Sequence, residues 1–351
     1  MTFNYRHGFL KKLYQQLPRA QSFTYSKPAA RRGVCRVIMA SSTNIPRVLS
    51  IQSHVVHGYV GGKCAVFTLQ RLGFEVDPVY SVQFSNHTGY PTFKGSVFDG
   101  KHLQDLLDGL EVNELTNYSH LLTGYIGSVS LLNKIAEVCR KLKEWNSELT
   151  YVCDPVLGDE GRLYVPLEMV ESYRNTIVPL ASILVPNQFE AELITELKIN
   201  SPADGFKACT KLQEMDPHTV VITSMTLASE PGTVTLLAST SISQDRGPSY
   251  QQVSLTIPRI NAYFTGTGDL LAALLLGRLH KRPNDLSTAI EEAVASLQSI
   301  LLDTAEACGE EVLMAPRSAD VCNKRELRLI QGQEHLVDPK IILRCVPNIA
   351  S

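Results

Sequence analysis

From residue 47 onward the apolar residues follow two alternating rhythms. Short dense runs rich in Val, Ile and Leu predict buried strands at RVLSIQS (47–53), FEVDPVYSVQF (74–84, interrupted by Pro78), SHLLTGY (119–125), ELTYVCDP (148–155), SILVP (182–186) and TVVITS (219–224). Between them, apolar residues spaced by three and four predict helices over 60–73 with a stop at Gly73, then 101–110, 128–145, around 167–178, 188–196 and 203–215. TVTLLAST (233–240) and QVSLTIP (252–258) have no helix between them and read as an antiparallel pair. Two long helices, 268–281 and 287–308, close the core, and a last strand is expected near KIILRC (340–345). Strands separated by helices imply a mostly parallel sheet covered on both faces, an α/β three-layer sandwich. No repeat or linker divides residues 47–351, which read as one domain. In such sheets ligands bind beyond the carboxyl ends of the strands, so chemistry is sought there.

Charge changes the picture at the amino end. Residues 1–47 hold nine Lys or Arg and no acid; the first acidic residue is Glu75, and the remaining chain carries 24 basic against 35 acidic residues. The stretch 1–46, rich in Arg, Lys and Ser, fits a plastid or mitochondrial transit peptide, and Met39 offers a second start that would leave a cytosolic form. The acidic globule lacks the basic stripe that nucleic acid requires, and no apolar run is long enough to span a membrane. The eight cysteines are scattered without CxxC pairs, which suits buried thiols in a reducing compartment.

Two glycine-rich stretches imitate nucleotide motifs and fail. GYVGGKC (58–64) has the wrong spacing for a P-loop and ends in Cys64 where a hydroxyl should hold magnesium. Gly266-Thr267-Gly268-Asp269 begins a dinucleotide fingerprint, but Leu271 replaces the third glycine and the aspartate would repel a pyrophosphate.

Read on its own, YFTGTGDLLAALLLG (263–277) is an anion cradle. Glycines before a helix leave backbone N–H groups pointing outward, and the helix adds its positive end. Asp269 there fits a general base that takes a proton from an attacking hydroxyl. It equally fits an ordinary first-turn acid stabilised by the helix dipole. In YVCDPVLGDEG (151–161), Asp154 and Asp159 could hold hydrated magnesium beside phosphates, or simply make turns. In PNQFEAE (186–192), Asn187 and Glu190 have capping-box spacing, and Glu190 could also orient magnesium waters. SNHTGY (85–90) and SIQSH (50–54) carry more polar residues than a turn needs and suit a small polar ligand, with a polar surface loop as the alternative; His54 and His57 read as lining or loop residues.

Together SIQSHVVHGYVG, SVQFSNHTGY, LLTGY, YVCDPVLGD, PNQFEAEL, VVITS and FTGTGDLLAALLLG resemble the pyridoxal kinases of the ribokinase-like superfamily, in order over nearly all of the chain after residue 47. The resemblance implies a kinase that phosphorylates the 5′-hydroxymethyl group of pyridoxal, pyridoxine and pyridoxamine with ATP, Mg²⁺ or Zn²⁺ and an activating K⁺, as a homodimer. It implies Asp269 as base and Gly266, Thr267 and Gly268 as the anion hole. It puts Ser53, Val60, Thr88, Tyr125 and the lid residue Tyr164 at the vitamer. It puts Asp154, Asn187, Glu190, Thr223, Ser224, Ile260, Asn261, Ala262 and Thr267 at the nucleotide, with Asp154 and Glu190 toward the metal; Asp159 joins them as a metal candidate from the YVCDPVLGDEG turn. The chain departs from the family at Val185, where a Thr is common, so a side-chain oxygen for K⁺ is missing there. Other readings are a related kinase for a hydroxymethylpyrimidine or a sugar, and a non-catalytic vitamin-binding protein; Asp269 argues against the latter.

Overall fold

The structure is a computed structural model that describes residues 45–227, 230–242 and 249–348. The basic arm assigned to 1–46, with Met39, lies outside the described residues as far as position 44.

Ten strands form one sheet, in the order β12-β11-β10-β9-β8-β5-β4-β1-β2-β3. In chain order the elements begin with β1 (Arg47–Val55), α1 (Gly62–Arg71), β2 (Glu75–Phe84), β3 (Gly95–Val97), α2 (Gly100–Val112), β4 (His120–Thr123), α3 (Val129–Trp145) and β5 (Thr150–Cys153). A small hairpin of β6 (Gly158–Asp159) and β7 (Arg162–Leu163) stands apart from the sheet. Then follow α4 (Glu168–Ser172), β8 (Ile183–Leu184), α5 (Gln188–Thr195), α6 (Pro202–Gln213) and β9 (Thr219–Met225). The chain continues through β10 (Thr233–Ile242), β11 (Ser249–Pro258), α7 (Thr267–Lys281), α8 (Leu286–Cys308), α9 (Glu310–Met314), α10 (Ala319–Lys324), α11 (Gln333–Val337) and β12 (Val346–Pro347).

Strands β1, β2, β4, β5, β8 and β9 are parallel; β3, β10, β11 and β12 add antiparallel edges. One apolar layer holds Leu49, Ile51 and Leu121 against α2, α3, α5 and α6, and the other holds Val48, Leu122 and Val221 against α1, α7 and α8. Alternate residues of β1 therefore enter opposite layers, as a pleat buried on both faces requires. The expected three-layer sandwich with an antiparallel edge is what forms.

Three local expectations need correction, and some short elements were not expected at all. Pro78 does not interrupt its strand: it pairs with Ser50 of β1, and β3 joins β2 only from Val82 onward, so the missing N–H falls where β2 is still an edge. The helix around 167–178 is an α-helix only to Ser172; a wide turn over Tyr173–Ile177 and a tight one over Val178–Leu180 follow, where Pro179 has no N–H to continue the ladder. The last strand is displaced to Val346–Pro347, two residues paired to Ser254 and Val253 of β11. The β6–β7 hairpin, β3 and the short helices α9–α11 have too few residues to show a period in the sequence.

Helix α7 has no polar stripe over its middle. Leu270, Leu271, Leu274, Leu275 and Leu276 are all at most 5% exposed. Removing five leucines from water is worth on the order of 10 kcal/mol. Its C-terminal turn is tied too: the buried Arg278 donates to the carbonyl of Leu336 (2.8 Å) and pairs with Glu292 of α8 (3.3 Å). The helix is thus a fixed post, and whatever stands at its amino end is held still.

Beneath the sheet, at the amino end of β4, His120 packs edge-on to Phe74 (5.5 Å) and His280 (4.8 Å). Burial, aided by His280, pushes the His120 imidazole down to about 4 from its ordinary 6.5. Between these values the unfolded chain binds more protons than the folded one, so stability is intact above pH 6.5 and declines as pH falls toward 4. In urea unfolding, the wild type is expected to lose about 2 kcal/mol more than His120→Phe between pH 7.5 and 5. Equal losses would show that His120 does not set this acid sensitivity.

Candidate active site

The carboxyl ends of the parallel strands meet along one edge of the sheet. Strands β9, β8 and β5 deliver Thr223 and Ser224, Asn187, and Asp154; strands β4, β1 and β2 deliver Tyr125, Ser53 and the loop to Thr88. The sheet order thus separates the residues assigned to nucleotide from those assigned to vitamer. Between β4 and β1 the chain order reverses, the place where open sheets form a crevice.

The cradle closes this crevice from the amino end of α7. Gly266 caps the helix at φ 88°, a left-handed conformation that a side chain resists. A Cβ there would lie 2.2 Å from the Tyr59 carbonyl oxygen, so the β1–α1 turn is pressed onto the cradle. That turn has its own left-handed residue, Gly61 at φ 51°, where a Cβ would lie 2.2 Å from both the carbonyl and hydroxyl oxygens of Ser53. The glycines of GYVGGKC therefore serve strand-to-helix packing, as their rejected P-loop spacing suggested. Asp269 stands in the first turn of α7; burial raises its pKa, and a hydrogen bond from the Gly61 amide opposes the rise. A carboxylate partly freed of water is a stronger base.

Asp154 lies next to this turn, with its Oδ2 3.9 Å from where a Gly268 Cβ would be. Its carboxyl is pushed well up, first by burial and then by Glu190 and Asp269. Both charges acting on it are negative, and a cation delivered between them would relieve the repulsion. Among the described residues no three His, Cys, Asp or Glu side chains form a metal cage. The donor set therefore suits a hard ion that arrives with phosphate oxygens and keeps its waters. Glu190 is engaged otherwise: Oε2 accepts from Asn187 N (2.8 Å) and Oε1 from Leu157 N (2.9 Å), while Asn187 Nδ2 donates to the Gly158 carbonyl (2.7 Å). The capping box is present as expected, and it also laces the Asp154–Asp159 loop to α5. The Asp159 Oδ1 accepts from Glu160 N (2.8 Å) at the hairpin tip.

Among the residues assigned to the nucleotide, the Thr223 N–H donates to the Pro186 carbonyl (2.9 Å), which draws the end of β9 toward Asn187. Ile260, Asn261 and Ala262 form a turn on the other side, closed by Ala262 N to the Ile260 carbonyl (2.8 Å). On the vitamer side Val60 is buried and Thr88 exposed, and β2 carries a bulge at Ser81 whose hydroxyl donates to the Tyr125 carbonyl (2.5 Å). The bulge thereby fixes the second residue beyond β4. Tyr164, half exposed, shares a hydrogen bond with Tyr263, and the Arg317 guanidinium sits over the Tyr263 ring at 5.4 Å. His54 is not a loop residue: it stands within β1, paired to Gln83, and stacks on Tyr80 (4.2 Å), whereas His57 follows the strand and bonds Asn323 (2.8 Å).

Sequence reading missed the floor under the two vitamer loops. Glu326 accepts from Tyr59 N (2.8 Å), from the Tyr90 hydroxyl (2.9 Å) and from His87 Nε2 (3.1 Å). Its partners lie more than 230 residues earlier, and RELRLI carries no motif that marks it.

Comparison with known proteins agrees with this geometry. A family model described as phosphomethylpyrimidine kinase matches residues 114–313. A pyridoxal kinase from Arabidopsis thaliana is 53% identical over 309 residues, covering 87% of this chain and 96% of that one. Pyridoxal kinase from Leishmania donovani has been solved in complex with ADP and pyridoxamine, and with ADP and pyridoxine. Each structure has a TM-score of 0.78 and 34% identity, and covers 86% of this chain and 99% of its own. The family match starts after the 47–90 segment, whereas the full-length likeness includes Ser53 and Thr88.

Proposed function

The chain belongs to the pyridoxal kinase family, and from that premise we infer that it transfers the γ-phosphoryl group of ATP to the 5′-hydroxymethyl group of pyridoxal, pyridoxine and pyridoxamine. The observation that carries the reading is Asp269 at the amino end of a rigidly buried helix, behind Gly266 and Gly268, where base and anion donors face one crevice. Asp269 removes the hydroxyl proton as its oxygen bonds phosphorus; the bond to the β-phosphate oxygen breaks, and that electron pair leaves with ADP. The amides of residues 266–268 and the helix dipole stabilise the passing charge. Asp154 is the residue best suited to face Mg²⁺ or Zn²⁺, which would neutralise phosphate charge, with Glu190 acting on it through water. Asn187, Thr223 and Ser224 flank the nucleotide on one side and Ile260, Asn261, Ala262 and Thr267 on the other. Ser53, Val60, Thr88 and Tyr125 take the vitamer, and Tyr164 covers it.

The related hydroxymethylpyrimidine or sugar kinase reading fits the 114–313 match alone. It is disfavoured because the two loops that meet the pyridine ring lie before that stretch. A coupled ADP-release assay against the three vitamers and hydroxymethylpyrimidine decides between them. Turnover of the vitamers is expected, and preference for the pyrimidine would overturn the reading. The same assay tests the cation. Val185 is 2% exposed and packed in the apolar layer, so its side chain offers K⁺ nothing. Equal turnover in K⁺ and Na⁺ is expected; strong K⁺ activation would mean that carbonyl oxygens suffice.

We further propose a homodimer, testable by light scattering, and an organelle address in residues 1–46, testable by mapping the amino terminus of the native protein. No described helix is long and apolar enough to cross a membrane.

A further inference from the structure

We propose that Glu326 is a positioning residue that sets the vitamer pocket, with one carboxylate holding both the β1–α1 turn and the 87–90 loop. The inference rests on the kinase reading above and deepens it. Three donors converge on two oxygens: Tyr59 N–H on Oε2, and the Tyr90 hydroxyl and His87 Nε2 on Oε1. The Gly89 amide donates to His87 Nδ1 (3.0 Å), which leaves Nε2 to carry the proton toward Glu326. The carboxylate is nearly enclosed, with 11% of the side chain exposed, and it fits against residue 58 only because that residue is glycine: a Cβ there would lie 2.4 Å from Oε1.

The carboxylate is itself held from behind. The neighbouring Arg325 donates to the carbonyls of Val312 (2.7 Å), Leu313 (3.0 Å) and Ala315 (2.8 Å), and Leu327 and Leu329 are buried in the core. Helix α10 adds two more ties to the same loops, Cys322 Sγ to the Gly89 carbonyl (3.3 Å) and Asn323 Oδ1 to His57 Nε2 (2.8 Å). The clamp reaches the reaction centre by contact. Tyr59, held through its N–H, presses its carbonyl against Gly266 of the cradle, and the next residue is Val60. Thr88 sits between His87 and Tyr90, the other two partners. The β1–α1 turn and the 87–90 loop are thus indexed to one charged group.

Only an acceptor-only group satisfies three donors. Glu326→Gln keeps size and shape but turns an NH₂ toward at least one of them. The test is steady-state kinetics, pyridoxal binding and thermal unfolding on the full chain of wild type, Glu326→Gln and Tyr90→Phe. For Glu326→Gln the KM and Kd for pyridoxal are expected to rise about tenfold or more, with the KM for ATP unchanged and Tm close to wild type. Tyr90→Phe removes one donor and is expected to shift the same two constants in the same direction by a smaller factor. Wild-type pyridoxal constants in both variants would overturn the proposal, as would equal rises for ATP and pyridoxal together with a lowered Tm. If Glu326→Gln does not fold, Tyr90→Phe decides alone. A wild type that turns over no vitamer takes the kinase reading down as well, which separates the two failures.

Discussion

Asp269→Asn is expected to abolish measurable phosphate transfer, with kcat reduced by about 10³-fold or more, while pyridoxal and ATP still bind. The asparagine is isosteric and can still accept from the Gly61 amide, so the turn should keep its shape. It cannot take a proton, and the attacking hydroxyl stays neutral. The pH profile supplies a second readout. Burial raises the Asp269 pKa, and the base works only when ionised. Wild-type kcat should therefore fall with decreasing pH along a limb displaced above the ordinary carboxylate range, and residual variant activity should lack that limb. Turnover near wild type would show that Asp269 is only a first-turn acid.

The second large effect is expected at Gly266→Ala. Two costs coincide there: a left-handed φ of 88° and a Cβ 2.2 Å from the Tyr59 carbonyl oxygen. Neither atom can yield cheaply, because α7 is fixed by its leucines and Tyr59 by Glu326. The cradle amides must turn away from the phosphoryl group, and losing such donors costs about 10²–10³ in kcat. Gly309→Ala separates the two costs. Its φ is 74°, but nothing lies within 4 Å of the added Cβ, and it sits between α8 and α9. With ψ 156° that residue lies in a region open almost only to glycine, so the variant is expected to lose about 1–3 kcal/mol of stability and no turnover. Comparable kcat losses in both would mean that backbone strain, not the cradle, limits the rate.

The fold was legible because the central strands are apolar runs buried on both faces and the longer helices keep a spacing of three and four, and each leaves its own mark in the sequence. The site was legible for a related reason. A parallel sheet sends each functional loop past a strand end, and Asp154, Asn187, Thr223 and the 85–90 loop all follow apolar runs. Pro78 misled because whether a strand is an edge is a property of its neighbours, not of its own residues. Glu190 is a mixed case. Its spacing announced the cap, but only the folded chain shows its other oxygen spent on the 154–159 loop, at the Leu157 amide. Glu326 left no local trace at all, since an acid before Leu-Arg-Leu looks like any surface acid until two loops from the other end of the chain arrive.

That arrangement bears on synthesis. On the ribosome, every strand through β11 and the helix carrying Asp269 emerge before residue 326. The nascent chain can therefore assemble most of its sheet and both reactive carboxylates while the floor of the vitamer pocket is still missing. Contacts spanning 236 and 267 residues are among the last that a growing chain can make. Capacity to hold a vitamer should consequently appear late and abruptly during translation, after the nucleotide wall is already in place.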